Sequence, residues 1–208
     1  MITIPETCGT IILPETVLFP HGTLPLHIFE PRYREMLEEA LNADCMICVG
    51  TATGEEAEGA NPATFTHPIG TIGLIRTSRE MEDGRSNLIL HGILRVHFRA
   101  WLPGKPYPLA SIAPATAEPI SPDEAPRRVS ELRDHVNHAL SGFPPSLKQK
   151  VNELLDRTDG EPSILADAIS QQFVQEPSLR LELLSENSLS NRFDILRNYL
   201  SALADNQR

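Results

Sequence analysis

Few side chains in these 208 residues stand at spacings suited to chemistry, and each candidate set is incomplete. Cys45-Met46-Ile47-Cys48 has the two-residue gap used by zinc sites and dithiol redox centres. The run around it has strand length, and on a strand positions i and i+3 point to opposite faces, which is poor for joint ligation. No second cysteine pair accompanies it and Cys8 is isolated, so packed cysteines are expected. His135 and His138 fall three apart on a helical stretch and could clip a metal, but no third ligand is evident nearby. Glu30 and Arg32 flank Pro31 at a strand–helix junction, where such a pair caps, orients or bonds locally rather than trading protons. Ser141-Gly142 lacks the flanks of a nucleophile elbow. Gly104-Lys105 runs into Pro106, and no complete phosphate loop occurs. The chain is therefore read as noncatalytic, with no metal and no cofactor.

The elements that would hold these residues change character near residue 118, which predicts two domains, 1–118 and 119–208. In the first, Leu24-Pro25-Leu26-His27-Ile28 reads as a short strand that Pro31 ends. Proline suits the first turn of a helix, and Tyr33, Met36, Leu37, Ala40 and Leu41 then form one apolar face. The corner between strand and helix is expected to send the Phe29 ring into the core. Residues 10–13, 45–49, 70–76 and 107–113 are further strands, and Glu82-Asp83-Gly84-Arg85 carries a hairpin turn signal. Leu94, Val96, Phe98 and Ala100 alternate with Arg95, His97 and Arg99, the period of a strand wet on one face. Residues 51–68 form a long loop without periodicity. About six strands and one inserted helix predict a small, partly closed β-barrel.

Beyond residue 118 the period becomes helical. Val129, Leu132, Val136, Ala139 and Leu140 share a face, and Gly142 with Pro144-Pro145 stops that helix. Leu147, Val151, Leu154 and Leu155 mark a second. Ile164, Leu165, Ala168, Ile169 and Phe173 mark a third, and residues 178–184 a short fourth. Leu189, Phe193, Leu196, Leu200 and Leu203 mark the last. Helices this short must pack together or on the barrel. The fold class expected is α+β, a barrel followed by a helical bundle.

Residues 17–37 carry more than local structure. Phe19-Pro20, then Pro25-Leu26-His27-Ile28-Phe29-Glu30-Pro31-Arg32-Tyr33-Arg34, resemble the opening of the N-terminal domain of Lon-type ATP-dependent proteases. Ile69-Gly70-Thr71 and Gly92-Ile93-Leu94-Arg95 stand where that family has its Val-Gly-Thr and Gly-x-x-Arg strands. Further on, Leu165-Ala166-Asp167 and Asn191-Arg192-Phe193 resemble its Leu-Ala-Asp helix start and arginine-led helix. Leu179-Arg180-Leu181-Glu182 departs from the usual Lys-Gln before the leucine pair. The resemblance implies a PUA-like barrel and a free-standing substrate-recognition domain, without motor or peptidase. The motif residues from Phe19 to Arg34 are read as mainly structural.

Composition bounds the remaining readings. Forty per cent apolar and 22 per cent charged residues are ordinary for a globular chain. Three cysteines fit a reducing compartment, no signal peptide is legible, and a cytoplasmic protein is expected. No apolar run approaches the roughly 20 residues that span a bilayer, so no membrane partner is expected. A net charge of −10 counts against a phosphate backbone, so no nucleic-acid partner is expected. Polypeptide substrates or partner proteins are the partners implied by the resemblance, bound on apolar patches or a sheet edge by an adaptor or chaperone-like module. A small-molecule enzyme using a barrel–bundle cleft, and an RNA-binding PUA-like protein, are the alternatives. A homo-oligomer through the C-terminal helices stays open.

Overall fold

The computed structural model describes residues 3–55 and 59–205, and they divide into two compact units, residues 1–115 and 116–208. Among the described residues the first unit holds six strands: β1 (Thr7–Pro14), β2 (Thr23–Ile28), β3 (Met46–Ala52), β4 (Ile69–Glu80), β5 (Ser86–Leu102) and β6 (Leu109–Pro114). One helix, α1 (Pro31–Leu41), lies between β2 and β3. The sheet order is β2-β5-β4-β3-β1-β6, with β6 also pairing with β5. The long β5 makes this return possible, because its first half pairs with β2 and its second half with β6. Among these strand pairs β1 and β3 run parallel, which their connection through β2 and α1 allows.

β3 is buried on both faces. Ile47 and Val49 join a cluster with Ile11, Ile28, Met36 and Leu90, while Met46 and Cys48 join Cys8, Ile72 and Val96. Two-sided burial explains a continuous apolar run in place of alternation. The helix α1 closes the first cluster with Tyr33, Met36 and Leu37. Leu41, expected on that face, is exposed at the last turn, where the chain leaves the helix through Asn42. Residues 51–68 are not wholly irregular: Ala52 bridges Thr66, and a 3-10 turn spans Pro62–Thr64. Part of that expected loop, residues 56–58, lies outside the described residues.

The second unit contains α2 (Ala125–Ala139), α3 (Pro145–Asp156), α4 (Pro162–Phe173), α5 (Pro177–Ser185) and α6 (Leu189–Asp205). Each helix from α1 to α5 carries a proline at one of its first two positions, where a missing N–H costs no helical bond. The last helix, α6, packs on α2 and α4 and buries Leu189, Phe193, Leu196 and Leu200. Arg128 of α2 holds α6 from the side, donating to Asp194 at 3.0 Å and to the Ser190 carbonyl at 2.7 Å. At the end of α4, the Arg180 guanidinium donates to the Val174 carbonyl at 3.0 Å, satisfying a helix end that the chain cannot satisfy itself.

Candidate functional site

The motif residues fall into a buried turn and an exposed edge. Phe19 and Pro20 are buried, and the chain reverses just after them, with Gly22 N–H donating to the Phe19 carbonyl at 3.0 Å. His21, at φ +61°, donates its N–H to the Gly92 carbonyl, and Gly92 N–H donates to the Gly22 carbonyl, each at 2.9 Å. A β-carbon at position 92 would overlap the Phe19 carbonyl oxygen, so this close approach requires glycine. Three residues on, the Arg95 guanidinium stands 5.9 Å from the Phe19 ring centroid. Arg95 is buried, which corrects the expectation of a wet face there. Thr71 Oγ1 donates to the Leu18 carbonyl at 2.5 Å. Three segments remote in sequence thus meet at one turn.

The edge follows directly. Along β2, Leu24, Leu26 and Ile28 turn inward, while Thr23, Pro25 and His27 are exposed. Phe29 continues the outward set and is 59 % exposed. Its expected place in the core is therefore corrected: the period of two gives that place to Ile28. The Phe29 ring instead stacks on His27, centroids 6.0 Å apart, and His27 Nδ1 lies 2.8 Å from Asn87 Oδ1 on β5. Pro25 stands opposite Ile89, itself 41 % exposed. Together these residues make an apolar outer surface beside an edge strand.

Past the edge, Arg32 Nε donates to Glu30 Oε2 at 2.8 Å and the Arg32 guanidinium lies 4.7 Å from the Tyr33 ring centroid. The Glu30 side chain makes no cap bond to α1, which begins at Pro31. The Tyr33 hydroxyl is buried against the Ile12 N–H at 3.4 Å, and the exposed Arg34 packs on Gly84 of the β4–β5 turn. Further along α1, Glu39 accepts from Lys105 Nζ at 2.5 Å and from the Tyr107 hydroxyl at 2.8 Å, and these bonds hold its carboxyl below the usual range. Burial, then the bond to Glu39, pushes the Tyr107 hydroxyl up. One open cleft of about 630 Å³ runs along α1 and another of about 750 Å³ lies between residues 59–62 and 101–109, reached by Arg32; among the described residues neither is lined by a histidine or a cysteine.

The other chemical candidates scatter. Cys45 is not on the strand: it takes φ +55° just before β3, and its thiol turns to the Leu41 carbonyl at 3.8 Å. Cys48 is buried beside Cys8 of β1, and burial pushes its thiol well up. This neighbour was not legible, because the pairing of β1 with β3 creates it. On α2, His135 Nδ1 lies 2.7 Å from the Glu131 carbonyl oxygen, within a shallow hollow that His138, Asp134 and Asp205 also line. Among the described residues no group of three or more His, Cys, Asp or Glu is placed to hold a metal ion. Likewise, no helix among them is long and apolar enough to cross a membrane.

Comparison with known proteins places this geometry. Residues 7–202 match the family model of the ATP-dependent protease La (LON) substrate-binding domain. The Lon protease of Desulfosudis oleivorans is 26 % identical over 168 residues, which are 80 % of this chain and 20 % of that protein. Lon protease 2 of Syntrophobacter fumaroxidans is 31 % identical over 96 residues, 46 % of this chain and 12 % of that protein. The chain thus spans only a fifth or less of these two relatives. Among solved structures, the N-terminal domain of Mycobacterium avium complex Lon protease superposes with a TM-score of 0.72 at 15 % identity, covering 94 % of this chain and 98 % of that one. The Lon N-terminal domain protein of Xanthomonas campestris gives 0.62 at 16 % identity, covering 93 % and 98 %. With the family model covering nearly the whole chain and the fold shared throughout, this protein belongs to the Lon substrate-binding domain family.

Proposed function

We propose that this chain is a noncatalytic module that binds polypeptides in unfolded, extended form, as an adaptor or chaperone-like binder in the cytoplasm. The observation that carries the reading is the exposed edge strand β2 with Phe29, Pro25 and Ile89 on its outer surface. An edge strand offers unpaired backbone groups to any extended chain, and exposed apolar side chains add affinity without sequence dependence. Membership of a substrate-binding domain family supports the same class of ligand. The partly closed, PUA-like form of the first unit belongs to this proposal, supported by the second pairing of β6. A titration of fluorescently labelled casein with the purified protein, followed by anisotropy, tests it. Saturable binding that unlabelled casein competes away, and a folded globular protein does not, is expected. Casein that never binds would overturn the reading.

A further inference from the structure

The outer face beside β2 carries positive charge in a chain whose net charge is −10. Neighbouring registers set Arg79 beside Asn87 and Asn87 beside His27, then Thr77 beside Ile89 and Ile89 beside Pro25. Arg76 sits at a register shift of β4, close enough to His91 for its charge to act there. Neither Arg76 nor Arg79 has a carboxylate within ion-pair distance among the described residues, whereas Arg32 is paired with Glu30 and Arg85 with Asp83. No Asp or Glu belongs to these cross-strand rows.

The backbone of the edge has a definite phase. Gly92 N–H bonds the Gly22 carbonyl, so positions 22, 24, 26 and 28 turn their polar groups toward β5. Positions 23, 25 and 27 turn theirs to the open side. Pro25, which has no N–H, falls in the open set, the place an edge strand gives to proline. The free edge therefore presents the N–H of Thr23 and His27 and the carbonyls of Thr23, Pro25 and His27.

We infer that β2 accepts an extended polypeptide segment by strand addition, and that the segment alternates apolar and acidic side chains. Its backbone pairs with the groups of Thr23, Pro25 and His27. Alternate side chains of a strand point to opposite faces, so its carboxylates turn outward, to the face that carries Arg76 and Arg79, while its apolar side chains turn the other way, beside the half-buried Leu24 and Leu26. The inference rests on the polypeptide-binding reading and gives it a site and a ligand class.

The test uses the whole chain, short labelled peptides alternating valine with glutamate or valine with lysine, and labelled casein. The glutamate peptide should bind about tenfold or more tighter than the lysine peptide, and R76E/R79E should remove that difference. Both arginines are exposed, and R76K/R79K should retain the preference, which separates charge from folding. Methylating alternate peptide nitrogens in one phase should abolish binding, and in the other phase leave it. Casein that binds while the two peptides bind equally, or while R76E/R79E changes nothing, overturns this inference and leaves the broader reading standing. Casein that does not bind at all removes the broader reading itself. Tighter binding of a single-stranded oligouridylate to the same face, or sedimentation showing that a second copy holds the edge, also overturns the inference.

Discussion

Arg192 and Asp167 meet as an ion pair 3.2 Å apart, with side chains only 1 % and 3 % exposed. Asp167 lies in α4 and Arg192 in the first turn of α6, so the pair fixes the register of two helices that share a core. The two segments quoted for the family resemblance in the second unit are thus one feature in space. Removing either partner leaves the other charge buried. Asp167→Ala or Arg192→Ala alone should cost about 3–5 kcal/mol, whereas Asp167→Leu with Arg192→Met should cost much less. Urea unfolding of the three variants checks this.

Phe29 and Phe19 should separate stability from binding. Phe19 is fully buried, and Phe19→Ala should destabilise by about 3–5 kcal/mol. Phe29→Ala, on an exposed ring, should stay within about 0.5 kcal/mol of the parent yet weaken casein binding. Thermal melts and the anisotropy titration read the two effects.

At position 92 a methyl group has nowhere to go, because the Phe19 carbonyl fills its place. Gly92→Ala should therefore cost about 1–3 kcal/mol, the range for forced overpacking. The buried turn would have to open, so the loss should appear in the melting temperature together with faster exchange of the His21 amide.

His91 gives stability a pH dependence. Burial, then the charges of His21 and Arg76, hold its imidazole below the ordinary value of 6.5. The unfolded chain therefore takes up the proton first as pH falls. Stability should drop as pH goes from 6.5 down through the depressed value of the folded state, and level off below it. The difference in melting temperature between His91→Gln and the parent, followed from pH 7.5 to 5, should shift in favour of the variant across that window.

Much of this fold is legible in the sequence. Pro31 marks the strand–helix boundary because its chemistry tolerates only a few positions, and α1 begins there. The turn at 82–85 joins β4 to β5, and the α6 seam is buried from Leu189 to Leu200. One source of what was missed is register. β5 runs 17 residues, with one shift opposite β6 and two opposite β4, so its alternation does not map simply onto wet and dry faces. Arg95 was misplaced for that reason. Phe29 was misplaced for another: the alternation of β2 persists one residue past its end, into the corner that precedes Pro31. The basic outer face was not legible at all, because Arg76, Arg79 and His27 come from strands that only pairing brings together.

Amide exchange along β2, resolved by residue with and without casein, tests the central claim most directly. In the free protein the amides of Leu24, Leu26 and Ile28 should be protected by β5, while those of Thr23 and His27 exchange fast. With casein bound, Thr23 and His27 should slow strongly, because an added strand takes up their N–H groups. Casein that binds while Thr23 and His27 stay fast, with slowing confined to other elements, would contradict the account.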